Sequence, residues 1–334
     1  MSSPDVIVIG AGVLGLSSAA ELAARGHAVT VVDPDGKNAS SVAAGMIAPA
    51  METLSDLRAG ADHAALFSAA AELWSGFAER FGLVLHREGA EWRGGGRAEV
   101  HAALSARGFD MRLTAAGVFA PGEARVEVEA ALAALAAVPG LQMRSGRASS
   151  VARDGAGWAV TLSDGERLVA PHVVMATGVG AVVGPVSLEA LLGLVTPIKG
   201  QLAFTPVRLT HHVVRGEAGY VAPCGTGSVI GATMQPGLSD LAVDAAAGEA
   251  LLRGCLAMIK IDETPLLDWR VGVRGASPDG LPMAGMVEPG LHVALAPRRN
   301  GWLMGPLVGA VLADGVEGRA PGEWAATLDP LRFG

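Results

Sequence analysis

Residues 5–33 constrain this chain more than any other segment. Val6-Ile7-Val8-Ile9 is a short apolar run rich in β-branched side chains, the composition of a strand buried on both faces. It runs directly into Gly10-Ala11-Gly12-Val13-Leu14-Gly15, a G-x-G-x-x-G turn. Leu16, Ala19, Ala20, Leu22 and Ala23 then recur at helical spacing until Arg25-Gly26 closes the helix. A second strand over 28–32 ends on Asp33, near the spacing at which a carboxylate meets a ribose hydroxyl.

Each position has a physical task. Gly10 permits the tight turn, Gly12 lets a pyrophosphate approach backbone N–H groups, and Gly15 lets the helix pack closely on the strand. The helix N-terminus turns partial positive charge toward the phosphates. Glycine makes up 46 of 334 residues, so the six-residue motif alone carries little weight. The strand before it, the helix after it, the second strand and the terminal acid make it specific for a dinucleotide. These residues leave FAD and NAD both open.

The length suits two lobes or an elaborated α/β domain. Half the residues are apolar and 17% are charged, enough for a large core. Net charge is −8, and Arg298-Arg299 is the nearest approach to a basic cluster, so no nucleic-acid partner is expected. Cys224 and Cys255 stand far apart without a CxxC partner and read as reduced thiols. The eight histidines are scattered; His211-His212 are expected on opposite faces of a strand, and no metal site is expected. The start, Met1-Ser2-Ser3-Pro4-Asp5, lacks the basic n-region of a signal peptide, and glycines, serines and Glu21 interrupt the apolar stretch after it. A cytoplasmic protein with no membrane span is expected.

Downstream, 36–50 reads as a loop of small residues able to lie against a flat ligand. A helix is expected over 64–81 with Leu66, Ala70, Leu73, Phe77 and Phe81 on one face. A turn-rich strand follows over 88–96, and a helix over 127–137 stops at Pro139-Gly140. A meander is expected over 141–144, 149–153 and 158–162, with Asp164-Gly165 as hairpin turn. The apolar strand 173–175 ends in Ala176-Thr177-Gly178, which can bring backbone to the nucleotide from the other side. From 188 to 274 short alternating runs (201–204, 213–215, 219–221, 228–233) imply an antiparallel sheet interrupted by a helix over 245–258. A strand over 291–295, a loop over 297–301 and a helix over 303–312 close the chain, with Leu303, Leu307, Ala310 and Val311 facing inward. The expected fold class is α/β: a discontinuous Rossmann-type FAD-binding domain (1–55, 125–187 and 276–334) plus an antiparallel-sheet substrate domain (56–124 and 188–275).

The chain resembles the D-amino-acid oxidase superfamily of FAD enzymes, and within it the glycine oxidases of thiamine biosynthesis. Six motifs carry the likeness in family order. They are the N-terminal fingerprint; Ser41-x-Ala43-Ala44-Gly45-Met46-Ile47 with Glu52 after it; Val195-x-Pro197-Ile198-Lys199-Gly200-Gln201; Gly219-Tyr220-Val221-x-Pro223 with Gly231-Ala232-Thr233-Met234; Gly272-Val273-Arg274-x-Ala276-x-Pro278-Asp279-Gly280-Leu281-Pro282; and Arg299-Asn300-Gly301-x-Leu303-x-x-Pro306.

The resemblance implies that Gly10, Gly12, Val13, Leu14 and Gly15 hold the FAD pyrophosphate, and that Asp33 and Pro34 sit at the adenosine ribose. Ala39, Ser40, Ala44, Gly45 and Met46 would line the flavin and its ribityl chain. Ala148 would touch adenine through backbone, with Thr177 and Gly178 approaching the same nucleotide. The loop carrying Asn300, Gly301, Trp302 and Leu303 would wrap the isoalloxazine ring, where a helix N-terminus favours hydride acceptance. Arg274, Arg299 and Tyr220 would bind the substrate's α-carboxylate, since arginine's fork makes two parallel hydrogen bonds to it. The implied reaction is oxidation of glycine, sarcosine or a small D-amino acid, with oxygen as electron acceptor and no catalytic triad. FAD is expected noncovalent, because neither cysteine occupies the family's covalent-flavin position, and a homo-oligomer is compatible with the family.

Two departures matter. Pro297-Arg298 stand where glycine oxidases place histidine and an aromatic, and Trp302 is bulkier than the usual aliphatic. Arg298 is therefore expected to add a second positive charge that favours a dicarboxylate or other anionic substrate. The competing readings are an FAD dehydrogenase with a non-oxygen acceptor, an NAD-binding oxidoreductase or nucleotide sensor without flavin, and a catalytically idle flavin-binding subunit.

Overall fold

Strand β1 (Val6–Ile9) is fully paired and buried, as its apolar run requires. In the computed structural model, which describes residues 4–334, it lies inside a six-stranded sheet. Met1, Ser2 and Ser3, part of the amino-terminal reading, lie outside the described residues. The strand order is 283–288, 291–295, 172–175, β1, β2 (Val29–Asp33) and 141–145, parallel throughout except for the 283–288 edge. Side chains alternate along β1. Val6 and Val8 join a core with α1 (Val13–Ala24) and the Gly301–Val316 helix, while Ile7 and Ile9 face a three-stranded meander anchored by Trp158. The two helices touch closely because Gly305 and Gly309 lie against Ser17, where a Cβ would meet its Oγ and carbonyl oxygen.

The second sheet has nine strands, most of them antiparallel. Its path runs through 235–236, Thr196–Thr205, Gly227–Gly231, Gly219–Cys224, Val213–Gly216, Ala90–Trp92, Val118–Ala120 and 112–113, with Asp268–Ala276 on the other edge of Thr196–Thr205. The Ala245–Ile259 helix covers Val221 and Ile230 on one face. The opposite face bounds the candidate site. This combination of a parallel sheet and an antiparallel one is the expected α/β class.

Several expectations need correction. Strand 141–145 does not belong to the meander; it pairs parallel with β2 at the edge of the first sheet. Its exposed residues lack the apolar run of a central strand, so local pattern could not assign it. The meander instead joins Ala148–Asp154, Gly157–Leu162 and Arg167–Ala170. The loop over 36–50 ends early, because helix α2 (Pro49–Arg58) starts inside it. Proline suits its first position, and Glu123 caps it from another segment, Oε1 accepting the Ala50 and Met51 N–H groups at 2.9 and 3.2 Å. Helix α3 (Ala64–Phe81) keeps its expected bounds, but Leu73 is 40% exposed and Trp74 fills the core in its place. Trp74 Nε1 donates to the Leu303 carbonyl at 3.1 Å, tying α3 to the last long helix. In that helix Leu303 and Leu307 are buried as expected, while Ala310 and Val311 are half-buried and Val308 and Leu312 complete the face. His211 and His212 lie in a bend before Val213–Gly216, not in a strand.

Candidate active site

Two cavities meet between the sheets. The first, about 440 Å³, runs past the C-terminal ends of β1 and β2 to the loop before the Gly301–Val316 helix. Its walls include Gly10, Gly12, Val13 and Leu14, then Asp33, Pro34, Ala39 and Ser40. Ala148, Thr177, Gly178, Gly301 and Trp302 complete them. The second, about 370 Å³, is bounded by α2 and the second sheet, and takes in Ala44, Gly45, Met46, Tyr220, Asn300 and Leu303. Ala43, Arg274, Arg299 and Trp302 line both. Gly15 lines neither: a Cβ there would strike the Gly10 carbonyl oxygen, so its role is the helix–strand contact.

The first cavity fits a dinucleotide. A Cβ at Gly12 would meet only Ser40 Oγ, at 3.3 Å, and so would point into the space where the motif cradles phosphate. The Asp33 carboxylate is oriented by the Ala11 N–H at 2.7 Å and the Asp35 N–H at 3.0 Å, each oxygen keeping acceptor capacity for a ribose. Ser40 stitches its loop to α1 by accepting the Val13 N–H at 2.9 Å, and its carbonyl accepts Trp302 Nε1 at 3.1 Å. Thr177 Oγ1 and Asn300 Oδ1 are buried without a hydrogen-bond partner among the described residues. Buried polar atoms are seldom left so, and both lie on cavity walls where a polar ligand would satisfy them.

Strand register places the second cavity's polar side chains. Arg215 pairs with Tyr220 and Tyr220 with Gly231, so all three share one face of the sheet. Ile198 pairs with Arg274 and Gly200 with Gly272, which lays the Arg274 side chain across Gly200. A Cβ at Gly200 would occupy the place of the Arg274 guanidinium, and one at Gly231 the place of the Tyr220 hydroxyl. Glycine at both positions is what lets these side chains cross the sheet.

The arginines differ in their partners. Glu52, buried in the first turn of α2, pairs with Arg215 at 2.8 Å and also with Arg299. Burial alone would raise its pKa, but the two guanidiniums outweigh burial and hold it down to about 2. Arg299 also lies 3.8 Å from Asp56, which pairs with His63 at 2.8 Å. Arg274 has no carboxylate partner among the described residues. It donates to the Thr233 carbonyl at 3.2 Å and contacts Met234 Sδ at 3.3 Å, and burial followed by the charge of Arg299 pushes it below its ordinary value. Burial raises the Tyr220 phenol to about 12, so it stays protonated.

The residues assigned to substrate from sequence are thus brought together, but Arg299 is already occupied by Glu52 and only Arg274 is free to take an acid. Arg298 lies elsewhere: it lines the first cavity, its guanidinium against Gly280, and does not reach the second. Sequence reasoning gave Glu52 no role and missed Arg215, Arg58 and Trp92, which also line the second cavity. The only local signal for Arg215 was a charged residue ending the apolar pair Val213-Val214. No group of His, Cys, Asp or Glu among the described residues could hold a metal, and no helix among them is long and apolar enough to cross a membrane.

Comparison with known proteins adds three findings. Residues 5–315 match the family described as DAO, FAD dependent oxidoreductase. The chain is 32% identical to glycine oxidase from Geobacillus kaustophilus, over 94% of this chain and 93% of that one, and the crystal structure of that enzyme superposes with a TM-score of 0.84 at 27% identity, covering 99% of both. Iminodiacetate oxidase from Chelativorans sp. BNC1 superposes with a TM-score of 0.83 at 25% identity, over 97% of this chain and 98% of that one. The chain is also 31% identical, over 89% of its length, to the tRNA 5-methylaminomethyl-2-thiouridine biosynthesis bifunctional protein MnmC of Chromohalobacter salexigens, of which it spans 46%.

Proposed function

The chain belongs to the family of FAD-dependent oxidoreductases, and from that premise we propose that it oxidises the C–N bond of glycine, sarcosine or a small D-amino acid, yielding an imine that water hydrolyses, with oxygen as final acceptor. The first cavity is assigned to FAD, held noncovalently, since neither cysteine lines it. The second cavity is assigned to substrate, and the division of the chain into cofactor and substrate domains is part of this proposal; the strand content of the two sheets supports it, whereas α3 packs into the core of the first sheet.

One observation carries this reading: Arg274, a half-buried guanidinium without a carboxylate partner among the described residues, lies where the two cavities meet. A cation partly withdrawn from water and left unpaired is costly, and an α-carboxylate supplies the missing charge through two parallel hydrogen bonds. The Thr233 carbonyl and Met234 sulfur fix the fork, and the Tyr220 hydroxyl faces the same space. Bound FAD supplies a two-electron acceptor for the Cα hydride. Glu52 and Tyr220, the titratable groups whose charges act on Arg274 besides Arg299, supply no general base near neutrality: Glu52 at about 2 is committed to two arginines, and Tyr220 at about 12 keeps its proton. In this reading the substrate amine arrives neutral or loses its proton to water, and the protein's contribution is orientation and exclusion of solvent. The kinship with a glycine oxidase and an iminodiacetate oxidase supports this choice, since glycine and iminodiacetate share a carboxymethyl amine.

Anaerobic mixing of the purified yellow protein with glycine, sarcosine and small D-amino acids tests it. Bleaching of the flavin by at least one, with oxygen uptake in air, is expected. Bleaching without oxygen uptake would point to a dehydrogenase with another acceptor. A colourless protein that takes up no added FAD, or a flavin that none of them bleaches, would overturn the reading.

A further inference from the structure

We propose that Arg58 reads a second carboxylate, so that the preferred substrate is an amine carrying two acid groups; this rests on the reading of the second cavity as the substrate site. Helix α2 presents Glu52, Ser55 and Arg58 along one cavity wall. At a rise of 1.5 Å per residue, Arg58 lies roughly 9 Å beyond Glu52 along the helix axis. Arg274 marks the cavity junction, and Arg58 lines the second cavity alone. The two guanidiniums therefore serve different parts of a bound molecule.

Arg58 is held ready for such a group. Its guanidinium stacks 4.5 Å from the centre of the Trp92 ring, which limits its rotamers and leaves its N–H edges open to a planar acid. Its carboxylate partner is Glu217, at 3.3 Å, with the two side chains 42% and 55% exposed. An exposed pair of this kind contributes little, so a substrate carboxylate can take the place of Glu217. Glu217 does not depend on Arg58 to stay in position, since its Oε1 also accepts the Gly95 N–H at 2.9 Å. The other cations of this cavity are engaged: Arg215 and Arg299 by Glu52, and Arg274 by the first acid.

The test uses the FAD-loaded enzyme with two probes, glycine and iminodiacetate, the latter being glycine with a second carboxymethyl group on nitrogen. The readout is the ratio of kcat/KM for iminodiacetate to that for glycine, in wild type, Arg58→Gln and Glu217→Gln, with flavin absorbance and melting temperature confirming that each variant is folded. Arg58→Gln is expected to lower the ratio roughly 10-fold or more, mainly through KM for iminodiacetate, the usual consequence of losing a charge-assisted contact. Glu217→Gln is expected to raise it. An Arg58→Gln ratio within about two-fold of wild type would overturn the proposal, as would a wild type that turns over glycine but not iminodiacetate. If neither probe bleaches the flavin but sarcosine or a small D-amino acid does, this inference falls and the site assignment stands; if none of them bleaches it, the assignment of the site falls as well.

Discussion

Arg274 and Arg299 enter the same junction with different partners, so truncation affects them differently. Arg274→Ala removes a group free to take the substrate acid; the protein should keep its flavin absorbance while kcat/KM for the preferred amino acid falls roughly 10²-fold to 10³-fold in steady-state assays. Glu52→Gln leaves Arg215 without its carboxylate partner and Arg299 with only the 3.8 Å contact to Asp56, and breaking a buried pair costs about 3 kcal/mol, measurable by urea unfolding. The pH dependence follows with a definite sign. The folded-state pKa of Glu52, about 2, lies below the ordinary 4.5, so its stabilising effect is present above about pH 4.5 and is lost as pH falls toward 2. Glu123 runs the other way. Burial raises it to about 8, so its contribution is full below pH 4.5 and lost as pH rises through 8. Unfolding measured across this range should show a flattened acid limb in Glu52→Gln and a flattened alkaline limb in Glu123→Gln.

The elements that could be read from sequence are those whose cause is local. The β1–α1–β2 unit, α3 and strand Leu291–Leu295 each carry their own periodicity, so their bounds match to within a residue or two. Strand 141–145 could not be placed because its partner is chosen by the whole sheet, and α2 was hidden because the Glu123 cap that supports it comes from a distant segment. The site divides the same way. The glycine turn between β1 and α1 is one contiguous motif and was legible as a cavity-lining turn, whereas the Glu52–Arg299 pair joins residues 247 positions apart and exists only once both sheets have formed. Glycines give the sharpest test at this scale. Gly15→Ala puts a methyl group into the Gly10 carbonyl and should abolish soluble expression, while Gly12→Ala meets only Ser40 Oγ and should give a folded protein with weakened FAD affinity by fluorescence titration. Gly200→Ala displaces the Arg274 head, so it should keep flavin yet lose substrate affinity much as Arg274→Ala does. Substrate binding unchanged in Gly200→Ala would mean that Arg274 has a second productive rotamer.

At the scale of the molecule, the first cavity is assembled from pieces that no single sheet owns: the β1–α1 turn, the loop after β2, residues 146–148 and 176–182, Val271–Gly275 of the second sheet, and the loop before the Gly301–Val316 helix. A cofactor lodged there contacts both sheets at once, and the unfolded chain has no equivalent site. Binding confined to the folded state stabilises it by mass action, about 4 kcal/mol when free FAD stands at 1,000 times its Kd. For a chain of this size that corresponds to a rise in Tm of roughly 5–8 °C. Scanning calorimetry of flavin-free protein with and without added FAD should therefore show the transition moving upward by about that amount. Because the cavity wall includes Gly272, Arg274 and Gly275 on the strand Asp268–Ala276, the second sheet should move with the first. A split profile, in which FAD shifts one transition and leaves a lower one in place, would mean that the substrate-side sheet melts on its own and that the cofactor is held by the first sheet alone.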